Sequence, residues 1–182
     1  MILSGHEIRR QVEADAITVS PFDSDHINPN SIDLTLDDTI LRYCDPVIDP
    51  RVEPEVVKLT VPEDGLLLEP MGFCLGSSRE IVGSTEFVPM VHAKSSTARA
   101  GLFVHVTADL IDIGSIGTIT FQLFSTLPLR VYPGMRIAQV TFWKPMGEIT
   151  LYSGKYQGSA GPMKSMIFRD RYWDKLHGAA DK

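Results

Sequence analysis

The run Thr118-Ile119-Thr120-Phe121-Gln122-Leu123-Phe124 decides the fold class of this 182-residue chain. Apolar and polar side chains alternate along most of it, so Ile119, Phe121 and Leu123 share one face and the polar residues between them share the other. Such alternation is typical of a β-strand that is buried on one side only. We therefore expect a strand with one face in the core and the other facing a polar space.

Short β-rich runs of this kind recur on both sides of that strand. Between them lie turn-forming residues, including many of the chain's 14 glycines and 12 prolines, which suit tight turns and few long helices. We predict a mainly β fold, a sandwich, a jelly roll or a distorted barrel, with a short N-terminal helix. The predicted strands are residues 31–36, 56–61, 65–68, 72–77, 86–93, 118–124, 129–131 and 136–143.

The N-terminus carries the signal of a short helix. Ser4 and Glu7 form a capping-box pattern, and Ile8, Val12 and Ala16 follow at helical spacing. We expect a helix over residues 4–14 that packs against the rest of the protein and takes no part in chemistry.

Two further segments have a distinct local pattern. Residues 127–129 and 132–140 flank Pro133-Gly134 and predict a strand, a turn and a return strand. From Ser153 onward the periodicity is lost. We predict one domain over residues 1–182, of which residues 153–182 form a mobile tail.

Composition narrows the class of protein. A net charge of −6 and a pI near 5.3 argue against a nucleic-acid binder, because phosphate-backbone affinity needs massed Lys and Arg. No apolar window reaches the roughly 18 residues of a membrane span, and the N-terminus lacks a signal-peptide pattern. Cys44 and Cys74 are too few and too far apart for a metal knuckle. We expect a cytoplasmic protein with reduced thiols, no membrane or nucleic-acid partner and no metal ligands of its own.

The segment Lys94-Ser95-Ser96-Thr97-Ala98-Arg99 concentrates groups that bind anions. Two hydroxyls, two cations and the backbone N–H groups of one turn can satisfy several phosphate oxygens together. A solvated turn is the alternative explanation of the same pattern.

Three other polar residues stand among apolar neighbours. Asp112, in Leu-Ile-Asp-Ile-Gly, projects a carboxylate at a strand end or caps a turn. For Asp33 we expect a structural hydrogen bond to a neighbouring loop. His105 is predicted on a strand, as a core or interface histidine rather than a catalytic one.

The Gly-rich tail carries aromatic and cationic side chains, and several common catalytic motifs are missing from the sequence. Tyr152, Lys155 and Tyr156 place aromatic rings beside a cation, which either closes over a base and its phosphates or belongs to a disordered tail. The sequence has no HxE with PCxxC, no GxxxxGK[ST], no GxGxxG and no GxSxG. Zinc deaminases, P-loop and Rossmann phosphate sites and serine hydrolases are therefore not indicated.

Taken together, these motifs resemble the dCTP deaminase family of the dUTPase superfamily, including its bifunctional deaminase–dUTPase members, over nearly the whole chain. The matching segments are Met-Ile-Leu-Ser at the start, residues 29–34, 94–102, 105–108, 111–112 and 133–139, and Gly154-Lys155-Tyr156 before Gly161. The resemblance implies a β-sandwich-like dUTPase fold, a homotrimer with active sites between subunits, and Mg²⁺ carried by the nucleotide triphosphate.

The resemblance also implies roles for single residues. Ser95 and Arg99 would lie near the water that attacks cytosine C4, and Asp112 would hold the sugar 3′-hydroxyl. Gln122 occupies the place of the family's catalytic glutamate. The implied nucleotide-binding set is Lys94, Ser95, Ser96, Thr97, Ala98, Arg99, Asp112, Thr120, Phe121, Gln122, Tyr152, Lys155 and Ser159.

The amide of Gln122 is neutral and takes no proton from water. Loss of a positioned general base costs about 10²–10⁴-fold in rate, so this residue bears directly on whether the protein deaminates its ligand.

Three hypotheses about function follow. The leading expectation is deamination of dCTP to dUTP and ammonia without zinc. One alternative is dUTPase-like hydrolysis to the monophosphate and pyrophosphate, with Asp112 positioning the water. The other is a nucleotide-binding protein without turnover, as Gln122 suggests.

Overall fold

The computed structural model describes residues 1–170 and 172–173. Its first element is helix α1 (Gly5–Glu13), which begins after Ser4 because the Ser4 side chain accepts the Glu7 N–H. Ile8 is completely buried on the inner face of this helix. The short N-terminal helix is confirmed.

After α1, the named elements of the described residues are eleven strands and one further short α-helix. The helix is α2 (Ser95–Arg99). The strands are β1 (Ile17–Ser20), β2 (Ile32–Thr35), β3 (Thr39–Tyr43), β4 (Val56–Thr60), β5 (Leu66–Leu68), β6 (Phe73–Ser84), β7 (Val88–Ala93), β8 (Leu102–Phe103), β9 (Ile116–Ser125), β10 (Leu129–Val131) and β11 (Arg136–Trp143).

These strands form three antiparallel sheets. The largest has the order β4-β3-β6-β9-β8, with β1 pairing to β6. A second sheet has the order β2-β11-β7, and β5 and β10 form a third. All the named pairings are antiparallel. The mainly β fold class is confirmed.

The alternating run quoted above forms the centre of β9. Phe121 and Leu123 are buried at 0% and 1% exposure and belong to the core, together with Phe142 and Val140 of β11. Thr120 and Gln122 lie on the other face and are half-buried. The two faces of β9 thus separate core residues from polar ones between Thr120 and Leu123, as the alternation predicted, whereas Ile119 is only half-buried.

The hairpin expected around Pro133-Gly134 is wrong. β10 pairs with β5, whereas β11 lies between β2 and β7 in another sheet. The turn redirects the chain because Gly134 adopts a φ of +77° and its N–H bonds to the Leu36 carbonyl across the fold. A Pro-Gly turn here changes sheets and does not join two paired strands.

Strand β6 continues past the predicted end at residue 77 to Ser84. A register shift between Ser77 and Ile81 places Arg79 and Glu80 inside the strand, which hides the strand pattern in the sequence. Glu80 is buried at 4% exposure, and its carboxylate accepts hydrogen bonds from the Thr35 N–H and hydroxyl at 3.0 and 2.7 Å. The irregular segment is therefore anchored to the end of β2.

The C-terminal segment follows β9 closely. The Thr118 N–H donates to the Ser159 carbonyl at 2.9 Å, and the Ser159 hydroxyl donates to the Thr118 carbonyl at 2.7 Å. Mobility of residues 153–182 stays a prediction, and residues 171 and 174–182 of that tail lie outside the described part of the chain. Within the described part, no helix has the length and apolar character needed to cross a membrane. The cytoplasmic location stays a prediction.

The two cysteines should differ sharply in reactivity. Cys44 is exposed, whereas Cys74 is buried and its burial raises the pKa of the thiol to about 11. Because the thiolate is the nucleophile, we expect a maleimide at neutral pH to label Cys44 rapidly and Cys74 only after denaturation. Mass spectrometry of the native protein checks this, with Cys44→Ser as the control that removes the fast phase. Rapid labelling of both thiols would contradict the buried position of Cys74.

Candidate active site

A cavity of about 500 Å³ lies against the polar face of β9. Its walls come from β3, β6 and β9, from the loop between β8 and β9, and from the C-terminal segment. Apolar or aromatic surface comes from Tyr43, Phe73, Leu75, Val91, Val104, Ala108, Leu110, Ile111, Ile119 and Met163. The polar lining residues are His105, Asp112, Ser115, Thr118, Thr120, Gln122, Tyr152, Tyr156, Ser159 and Ser165.

Gln122 is fixed in the wall by two hydrogen bonds to one loop. Its backbone N–H donates to the Val104 carbonyl at 2.9 Å, and its side-chain Oε1 accepts the Val106 N–H at 3.1 Å. The oxygen must face Val106, since an NH₂ group there would oppose one donor to another. The NH₂ group is therefore the part of the amide that is available to a ligand.

His105 lies between the two residues that bond to Gln122. The chain here is a loop, so the strand predicted at His105 is wrong, because β8 ends at Phe103. The ring lines the cavity, and its Nδ1 is buried without a hydrogen-bond partner among the described residues. An unpaired buried nitrogen in a cavity wall calls for an explanation.

Asp112 also lines the cavity and lies in a turn before β9. The strand expected to end at Asp112 is absent: after a bridge between Leu110 and Met90 the chain turns, and the Ser115 N–H closes the turn on the Asp112 carbonyl at 3.0 Å. Gly114 permits this turn with a φ of +90°. The Asp112 side chain is exposed and faces the cavity.

The C-terminal segment forms the outer wall. The Tyr152 N–H donates to the Ile113 carbonyl at 2.8 Å, and the Tyr152 hydroxyl accepts the Tyr156 N–H at 3.1 Å. Lys155 does not line the cavity, and its ammonium pairs with the Asp170 carboxylate. The tail thus places two aromatic rings over the site and keeps its lysine to one side.

Helix α2 is not part of this cavity. None of residues 94–99 lines it, and Ser95, Ser96, Ala98 and Arg99 are exposed while Thr97 is buried. Within one chain the structure does not bring the anion-binding segment together with Asp112 and Gln122. The side chain of Phe121 also points away from the cavity, into the core.

The start of α2 is anchored by a buried carboxylate. Asp33 is 2% exposed and pairs with the Lys94 ammonium, with Arg136 at 3.4 Å on the same oxygen. Asn28 donates to its other oxygen at 2.8 Å. The structural hydrogen bond predicted for Asp33 is confirmed, and it reaches both a loop and the residue that precedes α2.

Sequence reasoning missed one wall of the cavity. Tyr43 of β3 and Phe73 of β6 stack with ring centroids 6.4 Å apart, and the Tyr43 hydroxyl accepts the Ser165 N–H at 3.1 Å. Strand β3 was not predicted, because Thr-Ile-Leu-Arg-Tyr lacks clear alternation. The aromatic residue at its end was the available signal.

Comparison with known proteins gives the family and one correction. A family model described as dCTP deaminase-like matches residues 2–145. The chain is 43% identical over 171 residues to the protein named "dCTP deaminase, dUMP-forming" of Clostridium botulinum, a match covering 93% of this chain and 98% of that protein. A protein with the same name from Leptospira biflexa is 40% identical over 171 residues, with the same coverage of 93% and 98%.

One solved structure supports the fold. The crystal structure of 2′-deoxycytidine 5′-triphosphate deaminase from Agrobacterium tumefaciens is similar with a TM-score of 0.62 at 22% identity, covering 78% of this chain and 47% of that chain. The present chain thus spans just under half the length of the crystallised one.

The expected product was wrong. The relatives are named as dUMP-forming, so dUTP is not the product that the comparisons support. The fold, the matched segments and these relatives agree on the family: the chain belongs to the dCTP deaminase-like family.

Proposed function

We propose that this protein converts dCTP to dUMP, releasing ammonia and pyrophosphate, in the cavity beside β9. The observation that carries the proposal is that Gln122, His105 and Asp112 line one cavity of about 500 Å³, a size that suits a small organic ligand. The names of the relatives supply the reaction. Two waters are consumed, one at cytosine C4 and one at the triphosphate.

One wall of the cavity suits a pyrimidine base. Tyr43, Phe73 and Leu75 provide apolar and aromatic surface for a flat ring. The NH₂ group of Gln122 is a donor, and cytosine offers acceptors at N3 and O2. Gln122 accordingly binds the base by donating a hydrogen bond to it.

Asp112 serves the phosphate end in this proposal. Its exposed carboxylate stands at the mouth of the cavity, where it can orient the water that cleaves the triphosphate. That assignment accounts for a monophosphate product.

The cavity lacks cations for a triphosphate. Among the described residues that line it there is no lysine or arginine, and Lys155 is paired with Asp170. Arg99, Ser95 and Ser96 are exposed elsewhere on the chain. We infer that a second copy of the chain brings its α2 to this cavity, within a homotrimer, and that the triphosphate arrives with Mg²⁺.

A direct assay tests the proposed reaction. With Mg²⁺ and dCTP, the purified protein should release ammonia, pyrophosphate and dUMP in equal amounts, measured by independent methods. Asp112→Asn should suppress pyrophosphate release by about 10²-fold or more. Pyrophosphate from dUTP with no ammonia from dCTP would support a phosphohydrolase instead, and dCTP binding without either product would support the non-catalytic alternative.

A further inference from the structure

Gln122 leaves the proposed deamination without an obvious proton acceptor. Attack of water on cytosine C4 releases a proton, and the amide of Gln122 cannot hold it. The titratable groups lining the cavity are His105, Asp112, Tyr43, Tyr152 and Tyr156. Phenols are protonated at neutral pH and do not serve as bases there. The choice therefore lies between the imidazole and the carboxylate.

Backbone geometry places His105 beside Gln122. Val104 accepts the Gln122 N–H at 2.9 Å and Val106 donates to the Gln122 side chain at 3.1 Å. His105 is the residue between these two contacts, and its ring belongs to the same cavity wall. Asp112 reaches the cavity from the turn that precedes β9 and makes no such contact with Gln122.

The ring of His105 also has unused hydrogen-bonding capacity. Its Nδ1 is buried and has no partner in the part of the chain that the structure describes. By contrast, Nε2 of His92, a nearby histidine on β7, contacts the Thr141 hydroxyl at 3.1 Å. Because the buried Nδ1 is closed to water, the other ring nitrogen, Nε2, is the atom through which His105 can meet a ligand or its water in the cavity.

We propose that His105 is the proton acceptor in deamination, taking the role that Gln122 cannot fill. This inference rests on the proposed function. The water oxygen bonds to C4 while its proton passes to the imidazole, and the C4–N3 π electrons move to N3, which receives that proton from the imidazolium. The second water proton then passes through the imidazole to the amino group, the C4–N bond breaks, ammonia leaves and the C4 carbonyl forms.

Several charged or titratable groups line the same cavity as His105 or lie close to His105 and His92. They are His92 from β7, Asp109 from the same loop, Tyr43 from β3, Asp112 from the turn before β9, and Tyr152 and Tyr156 from the C-terminal segment. Burial, followed by the charge of His105, lowers the pKa of His92, and Asp109 opposes this. His92 is thus the group whose titration has to be separated from that of His105.

Paired variants test the proposal. His105→Asn and His105→Gln should lower the kcat for ammonia release by about 10²–10³-fold while the Kd for dCTP changes little. In the Gln122→Glu background a carboxylate can accept the proton, so the same His105 substitutions should lower the kcat for ammonia release only a few-fold. The acid limb of the wild-type pH–rate profile should disappear in the His105 variants and remain in His92→Asn, the matched control.

The outcomes separate this inference from the proposed function. If His105→Asn leaves the rate of ammonia release unchanged, His105 is not the proton acceptor. If the substitution lowers the kcat equally with Gln122 and with Glu at position 122, the role of His105 is structural only. Ammonia release only after Gln122→Glu overturns the His105 proposal but keeps the site. Absence of ammonia in both backgrounds overturns deamination itself.

Discussion

Gln122→Glu should raise the rate of ammonia release from dCTP by about 10–10²-fold. The carboxylate can accept the Val106 N–H as the amide does now, so the side chain keeps its position and gains a basic oxygen toward the base. This gain is smaller than the roughly 10²–10⁴-fold effect typical of a general base, because the proposed His105 pathway already moves the proton. The change is measured as single-turnover ammonia release with saturating dCTP.

The same substitution should change base preference. A carboxylate accepts hydrogen bonds only, so it favours the N4 amino group of cytosine over the O4 carbonyl of uracil. The dCTP to dUTP affinity ratio should therefore rise. Gln122→Met fills a similar volume without polar atoms and should show neither effect. An unchanged ammonia rate in a folded Gln122→Glu protein would place the chemistry away from this strand.

Two variants that are inactive alone should regain activity when both are present in one oligomer. Arg99→Ala removes a cation from exposed α2, and Asp112→Asn removes the carboxylate from the cavity. We expect each to lower dUMP formation by about 10²-fold or more when alone. If each site combines the cavity of one copy with α2 of the next, every mixed trimer has one intact site, so doubly tagged trimers should regain about one third of their sites. Activity of co-expressed, doubly tagged oligomers measures this.

The matched control combines two changes in one element. Ser95→Ala and Arg99→Ala both lie on α2, so their mixed oligomers contain no intact site and should stay inactive. Mixed oligomers of Arg99→Ala and Asp112→Asn that form but remain inactive would show that α2 does not complete a neighbouring cavity.

Local patterns predicted the features that depend on local geometry. The capping pair at Ser4 and Glu7 gave the helix, and the alternation around Phe121 gave both the strand and its core face. The change of sheet at Gly134 and the bulge that buries Glu80 were not predictable, because each depends on a partner distant in sequence, Leu36 and Thr35 respectively.

The candidate site shows the same division. Motifs identified Asp112, Gln122 and α2, but the stack of Tyr43 on Phe73 depends on strand pairing. The unpaired nitrogen of His105 depends on what surrounds the ring in the folded chain. The product was predicted wrongly because dUTP and dUMP differ by a second hydrolysis, at the phosphates. The motifs assigned to recognition of the base carry no information about that step.

The pairing of Lys155 with Asp170 limits how that lysine can act. A phosphate group that reaches Lys155 competes with the Asp170 carboxylate for the ammonium, so the gain from a new ion pair is offset by weakening of the existing one. Because a polyphosphate and a simple inorganic anion compete with Asp170 in the same way, the charge of Lys155 does not distinguish between them. Which anion binds near the tail should therefore be determined by the contacts that the other parts of the ligand make, and not by its ion pair with Lys155.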